Sequence, residues 1–215
     1  MKNKKEIYIL GVGHFTEVII DLAESCGYHV IGLYHFDDSR NEEVVLNVPI
    51  ISSYKQLLDT DIKGCSFAVS IGDNILRNTY ANKIREKGGI TPNLIHPKAI
   101  ISKYADISTD GVHVNANAFI HTKAKIESDC IISPNATVSH HSIVKKGSII
   151  SIGAIVGAYS IIGEYTLLGM NATTINKKIN IGNNTVVGIN SAIIKDIPNN
   201  SIIAGVPSKH INKTK

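Results

Sequence analysis

The sequence predicts two domains of different architecture: an α/β unit over residues 1–92 and a parallel β-helix over residues 93–215. Three observations predict it. From Val114 to Leu168 an aliphatic residue returns every sixth position, as Val114, Ile120, Ile126, Ile132, Val138, Val144, Ile150, Val156, Ile162 and Leu168. Four places after each of these stands a small residue, from Ala118, Ala124 and Cys130 through Ser142 and Ser148 to Thr166 and Ala172. Neither a helix nor a flat strand has a period of six. Coils of short strands do, because each coil buries its interior only by stacking on the next. The third observation is that the N-terminal part alternates apolar strands, glycine turns and amphipathic helices, the order of a parallel sheet with crossover helices.

In chain order, Ile7-Tyr8-Ile9-Leu10 reads as a strand and leads into Gly11-Val12-Gly13-His14-Phe15-Thr16. A helix is expected from Thr16 to Ser25, since Val18, Ile19, Leu22 and Ala23 recur at helical spacing and Gly27 supplies the stop. A second strand, Val30 to Tyr34, ends at Asp37-Asp38. Tyr54–Leu58 reads as a short helix, Ser66–Ile71 as a buried strand and Asn74–Lys87 as an amphipathic helix. Glycines before a helix N-terminus let a phosphate approach the backbone N–H groups, although Thr16 stands where the third glycine of a dinucleotide fingerprint would be. Gly11, Gly13, His14 and Phe15, then Asp37 and Asp38, then Gly72, Asp73 and Asn74 all fall at the carboxyl ends of strands. Ligands of open α/β sheets collect along that edge. Asp38 and Asp73 are equally suited to turns and helix caps, so the residues alone leave both roles open.

Pro92 and His96-Pro97 connect to the repeats, which begin with Ile101 and Ile107. The step is seven between Ile107 and Val114 and again between Thr174 and Ile181, so one extra residue is expected at a corner in each place. Positions eighteen apart then sit in adjacent coils. His140 and His141 fall at a corner, with Ala158 and Tyr159 as their neighbours one coil on. A histidine pair at a corner points away from the interior and is suited to general-base work near neutral pH.

Composition sets limits. The chain has 215 residues, a formal charge of +4 with scattered lysines and no tryptophan, so nothing suggests nucleic-acid binding. No run of apolar residues is long enough to span a membrane, and a cytoplasmic protein is expected. Cys26, Cys65 and Cys130 have no metal-ligand spacing and are expected to be buried thiols.

Hexads that end in Ala204-Gly205-Val206-Pro207-Ser208-Lys209 resemble acetyl-CoA-dependent acyltransferases of the left-handed β-helix type. A small Rossmann-like domain, a linker with Leu94-Ile95-His96-Pro97 and then the repeats resemble, more narrowly, the NeuD/PglD group of bacterial sugar acyltransferases. The resemblance implies acetyl transfer from acetyl-CoA to a UDP- or dTDP-linked 4-amino-6-deoxy sugar, in a homotrimer with no metal. The N-terminal loops would bind the nucleotide sugar. His140 and His141 align with the group's catalytic histidine and acidic residue, so an imidazole replaces a carboxylate. Ile149 stands where a second histidine is common near the thioester. By the same resemblance Ile149, Ala158, Gly188, Gly205, Pro207 and Lys209 would contact CoA, with backbone N–H groups at Ala158 serving the oxyanion or the thioester. The alternatives are O-acetylation of a sialic-acid-like sugar, a zinc hydratase on the same β-helix, and a non-catalytic binding module.

Overall fold

A computed structural model describes residues 5–214, which divide into two compact units between Leu94 and Ile95. Residues 1–4 and 215, included in the expected domain bounds, lie outside the described residues.

The first unit is built on β1 (Lys5–Leu10), where Ile7, Ile9 and Leu10 are fully buried. It pairs in parallel with β2 (Tyr28–His35) on one side. α1 (His14–Ser25) connects the two. β3 (Val44–Val45) and β4 (Val48–Ser53) follow at the sheet edge, then α2 (Tyr54–Asp59), β5 (Phe67–Val69) and α3 (Asn74–Glu86). The strand order is β3-β4-β2-β1-β5, with β3 alone antiparallel. Ile19, Ile20, Leu22 and Ala23 of α1 pack with Ile7, Ile9 and Leu33 on one face. Leu57 and Tyr54 of α2 and Ala81 and Ile84 of α3 pack with Leu10 and Phe67 on the other. From β1 the chain winds first toward β2 and later to β5 on the opposite side, so the winding reverses at β1 and β5. A ligand crevice opens at such a reversal, beyond the carboxyl ends of the strands.

Several bounds differ from expectation for identifiable reasons. α1 starts at His14, because Gly13 N–H donates to Thr16 Oγ1 at 2.9 Å and Thr16 N–H donates to Gly13 O at 2.9 Å, closing the first turn early. β5 ends at Val69, because Ser70 turns its hydroxyl onto Gly11 O at 3.0 Å. The β3–β4 hairpin is an addition to the elements expected from the sequence. It forms at the sheet edge around a turn in which Leu46 and Asn47 both have positive φ, 47° and 66°. Of the three cysteines only Cys130 is buried. Cys26 caps α1 and Cys65 precedes β5, which leaves both half-buried.

The second unit is a parallel β-helix whose two-residue strands stack into three sheets. Ile131 pairs with Ile149, Thr137 with Ile155 and Ile143 with Ile161, each eighteen residues on. The extra residues fall at corners, since Phe119 pairs with Ile100 and Ile161 with Asn180 without loss of register in the strands. The hexad aliphatics from Val114 to Leu168 are all buried. Each contributes roughly 1.5–3 kcal/mol by leaving water. The small residues do more than make room. Ser142 Oγ donates to Gly157 O at 2.8 Å, Ser148 Oγ to Gly163 O at 2.6 Å and Thr166 Oγ1 to Gly182 O at 2.8 Å, so each coil is tied to the next from inside. Cys130 Sγ fills the same place against Lys145 O at 3.1 Å. At the C-terminal end Ser201–Ala204 pairs antiparallel with Lys209–Lys213. No helix among the described residues is long and apolar enough to cross a membrane.

Candidate active site

The corner holding His140 and His141 connects the strands Thr137–Val138 and Ile143–Val144. His141 takes the left-handed conformation, φ 59°, the corner position that Asn117, Asn135 and Asn171 occupy elsewhere. Histidine accepts that conformation more readily than most residues. Backbone bonds clamp the corner to both neighbours. His141 N–H donates to Thr122 O at 3.3 Å in the coil below, and Tyr159 N–H in the coil above donates to His140 O at 3.2 Å. Tyr159 is left-handed too, φ 61°, so its ring lies over that of His141, with centroids 5.1 Å apart and planes at 21°. The His140 ring meets Tyr159 edge-on, at 5.3 Å and 90°. His140 Nδ1 and His141 Nδ1 are 3.0 Å apart. His140 is half-buried and His141 exposed. Together they form an imidazole pair with one aromatic wall.

The amides beside this pair have partners within the protein. Ala158 N–H donates to Asn176 Oδ1 at 2.8 Å and Gly157 N–H to Thr174 Oγ1 at 2.7 Å, while Tyr159 N–H is spent on His140 O. Side chains from the following coil thus accept from the N–H groups of the Ala158 corner, to which the resemblance assigns the oxyanion or the thioester. Ala158 itself is buried. Tyr159 is legible as a neighbour from the eighteen-residue offset. Asn176 follows Ala158 by the same eighteen residues, so its place is legible too, although the bond its side chain makes is not.

The other residues expected to contact CoA lie on different parts of the β-helix. Ile149 is half-buried on the sheet of Ile131 and Leu167, not at the His140 corner. Gly188 sits at the corner leading to Ala192, where an added Cβ would lie 2.7 Å from Ala204 Cβ. Gly205, φ 102°, precedes a cis Val206–Pro207 bond, and its N–H donates to Ser191 Oγ at 3.2 Å. Gly188 and Gly205 thus share the C-terminal coils, and exposed Lys209 begins the last strand. An open depression of about 440 Å³ on a further face is lined by Asp106, Lys125, Glu127 and Lys146, none of them a candidate. Among the described residues no group of three or more His, Cys, Asp or Glu is arranged to hold a metal ion.

In the first unit the expected loops do converge on the carboxyl edge of the sheet. Gly11, φ 117°, lies so close to β5 that an added Cβ would be 2.8 Å from Ser70 Oγ and 2.9 Å from Ser70 O. Thr16 Oγ1 meets Gly11 O and Ser70 Oγ, each at 2.9 Å, so the residue in place of a third glycine locks the turn to β5. Gly13, His14 and half-buried Phe15 open α1. After β2, Asp37 Oδ1 accepts from Ser39 N–H at 2.9 Å and lies 3.2 Å from His35 Nδ1. The Ser39 hydroxyl and amide hold the Asp37 carboxyl below its usual range. Asp38 accepts from Gln56 Nε2 at 3.2 Å. Asp73 accepts from Leu76 N–H at 2.7 Å and caps α3, so the capping role left open by the residues is realised. Gly72 is exposed beside it, and Asn74 is the first residue of α3.

Fold and corner together define a two-unit hexapeptide-repeat protein of the acyltransferase architecture. Residues 6–84 match the family model of the PglD N-terminal domain. The chain is similar to GDP-perosamine N-acetyl transferase from Caulobacter crescentus, solved as a mutant with CoA and GDP-perosamine, at 27% identity over 97% of each chain and a TM-score of 0.89. PerB from the same organism, also with CoA and GDP-perosamine, is 28% identical over 96% of this chain and 97% of its own, with a TM-score of 0.82. The acetyltransferase domain of PglB from Neisseria gonorrhoeae FA1090, in complex with acetyl coenzyme A, is 26% identical over 97% of this chain and 100% of its own, with a TM-score of 0.87. Residues 6–84 thus match a PglD-type N-terminal domain, and the α/β unit followed by a left-handed β-helix is shared with the perosamine N-acetyltransferase and the PglB acetyltransferase domain over nearly the whole chain.

Proposed function

We propose that this protein transfers the acetyl group of acetyl-CoA to the amine of a nucleotide-linked amino sugar. The observation that carries the reading is the half-buried imidazole of His140, backed by His141 and Tyr159, at an outward corner of a β-helix that follows a nucleotide-type α/β unit. The acetyltransferases to which the chain is similar, solved with CoA, GDP-perosamine or acetyl-CoA, support it. Residues 1–92 take the nucleotide sugar, with the pyrophosphate toward the Gly11–Gly13 turn and the α1 N-terminus. Residues 93–215 carry out the transfer. His140 is the general base. The sugar nitrogen attacks the thioester carbonyl carbon, forming the C–N bond, and His140 Nε2 takes the proton the nitrogen loses. The C–S bond then breaks and CoA leaves as the thiol once it regains a proton. Cys130 lies inside the coil stack, so no acyl-enzyme is invoked.

The His140 corner and the Gly188–Lys209 region sit at different corners of one chain. A homotrimer that brings the corner of one copy against the tail of the next completes the CoA groove. With both co-substrates drawn from cytoplasmic pools, the protein works in the cytoplasm.

The test is thiol release from acetyl-CoA against GDP-, UDP- and dTDP-linked amino sugars. Turnover with at least one amine is expected, and none with any would end the reading. His140→Ala is expected to lower kcat by roughly 10²–10⁴-fold while acetyl-CoA still binds.

A further inference from the structure

We infer that His141 is a positioning residue that holds His140 in its Nδ1–H tautomer by offering a neutral imidazole as acceptor. The inference rests on the reading of His140 as general base. A bond between two Nδ1 atoms 3.0 Å apart needs one proton, so one ring donates and the other accepts. The donor keeps its Nε2 unprotonated and able to act as base, while the acceptor must carry its own proton on Nε2. Only one ring of the pair can therefore be the base at a time. The half-buried ring, His140, is better shielded from water, and the exposed ring, His141, is braced flat against Tyr159.

No carboxylate of the stacked corners is there to take this role. The stacked corners at residues 102–105, 121–124, 139–142, 157–160 and 175–178 contain Lys103, Lys123, Lys177 and Lys178 and no carboxylate. The titratable groups along this column are thus His121, whose ring stacks on Phe119 at 3.9 Å, His140, His141, Tyr104, Tyr159 and those four lysines. When His140 takes the substrate proton on Nε2, its Nδ1–H stays bonded to His141 and the positive charge is shared through a neutral partner. A carboxylate in that place would hold the imidazolium more strongly and leave a more readily protonated resting base. The left-handed backbone at His141 and the Tyr159 ring fix the acceptor in space.

The test combines a spectroscopic measurement with kinetics on the full chain. Long-range proton–nitrogen NMR of the imidazoles is expected to show His140 protonated on Nδ1 and His141 on Nε2. The reverse pattern, or Nε2–H on both, overturns the inference. His141→Asn, whose Oδ1 can stand in for Nδ1 and which suits a left-handed corner, is expected to keep kcat/KM within about threefold. His141→Ala is expected to lose roughly tenfold, the rate equivalent of one hydrogen bond lost in the transition state. His141→Glu is expected to move the acidic limb of the kcat/KM–pH profile up by about one unit or more relative to wild type. Wild-type rates and pH profiles in all three variants would overturn the positioning role while leaving the base intact. Full activity in His140→Ala would instead remove the base itself, and the NMR result would still report the pair.

Discussion

Ser148→Ala and Ser142→Ala are the same chemical change at equivalent places in successive hexads, yet the structure predicts different costs. Ser142 Oγ donates to Gly157 O, which also receives Ser160 N–H at 3.2 Å. Removing that hydroxyl loses one hydrogen bond and orphans nothing, a cost of about 1 kcal/mol. Ser148 Oγ donates to Gly163 O and also accepts the N–H of buried Thr166 at 3.0 Å. Its removal loses one bond and strands a buried backbone donor, for a total of about 2–4 kcal/mol. No cavity term separates the two, since each change removes a single oxygen. Urea unfolding at one fixed protein concentration gives the difference, and hydrogen exchange at the Thr166 amide locates it. Equal midpoints for the two variants, or an unchanged Thr166 exchange rate in Ser148→Ala, would refute the reasoning.

Gly11→Ala places a Cβ against Ser70 at a backbone φ of 117°, and is expected to destabilise the first unit by about 2–3 kcal/mol, read from its thermal transition. The Asp37 carboxyl, held low by Ser39, stabilises its loop fully above the unfolded carboxylate value near pH 3.9, and that contribution is lost as pH falls through the lower folded value. Ser39 amide protection should therefore be flat above about pH 4 and decline below it, and the decline should be absent in Asp37→Asn. Asn176→Ala exposes the Ala158 amide, and an unchanged KM for acetyl-CoA is expected if that amide takes no part in thioester binding.

Legibility in the sequence followed the number of repeats that reported each feature. The interior of the β-helix was readable because one physical demand, a branched residue facing in, recurs in every hexad from Val114 to Leu168. The corner of His140 followed from the same arithmetic. What sits on a single instance was hidden. The eighteen-residue offset sets Asn176 beside Ala158, but nothing in a hexad says that its side chain will turn back to accept from that amide. The hydroxyl ties of Ser142, Ser148 and Thr166 were concealed behind smallness, the property they share with alanine at the same positions. In the first unit the three loops were readable from strand ends. The early start of α1 was not, because it depends on where one threonine hydroxyl points.

The left-handed corner positions Lys123, His141 and Tyr159 form a column on the outside of the coil stack, while the hexad aliphatics that fill the stack all face inward. What the stack shows to its surroundings is therefore written on one surface of the polymer and foldability on the other. A change of letter in the outer column leaves the inner text intact. A lineage with this scaffold is thus free to vary the outer column, as the imidazole of His141 and the phenol of Tyr159 beside Lys123 illustrate, with little effect on folding.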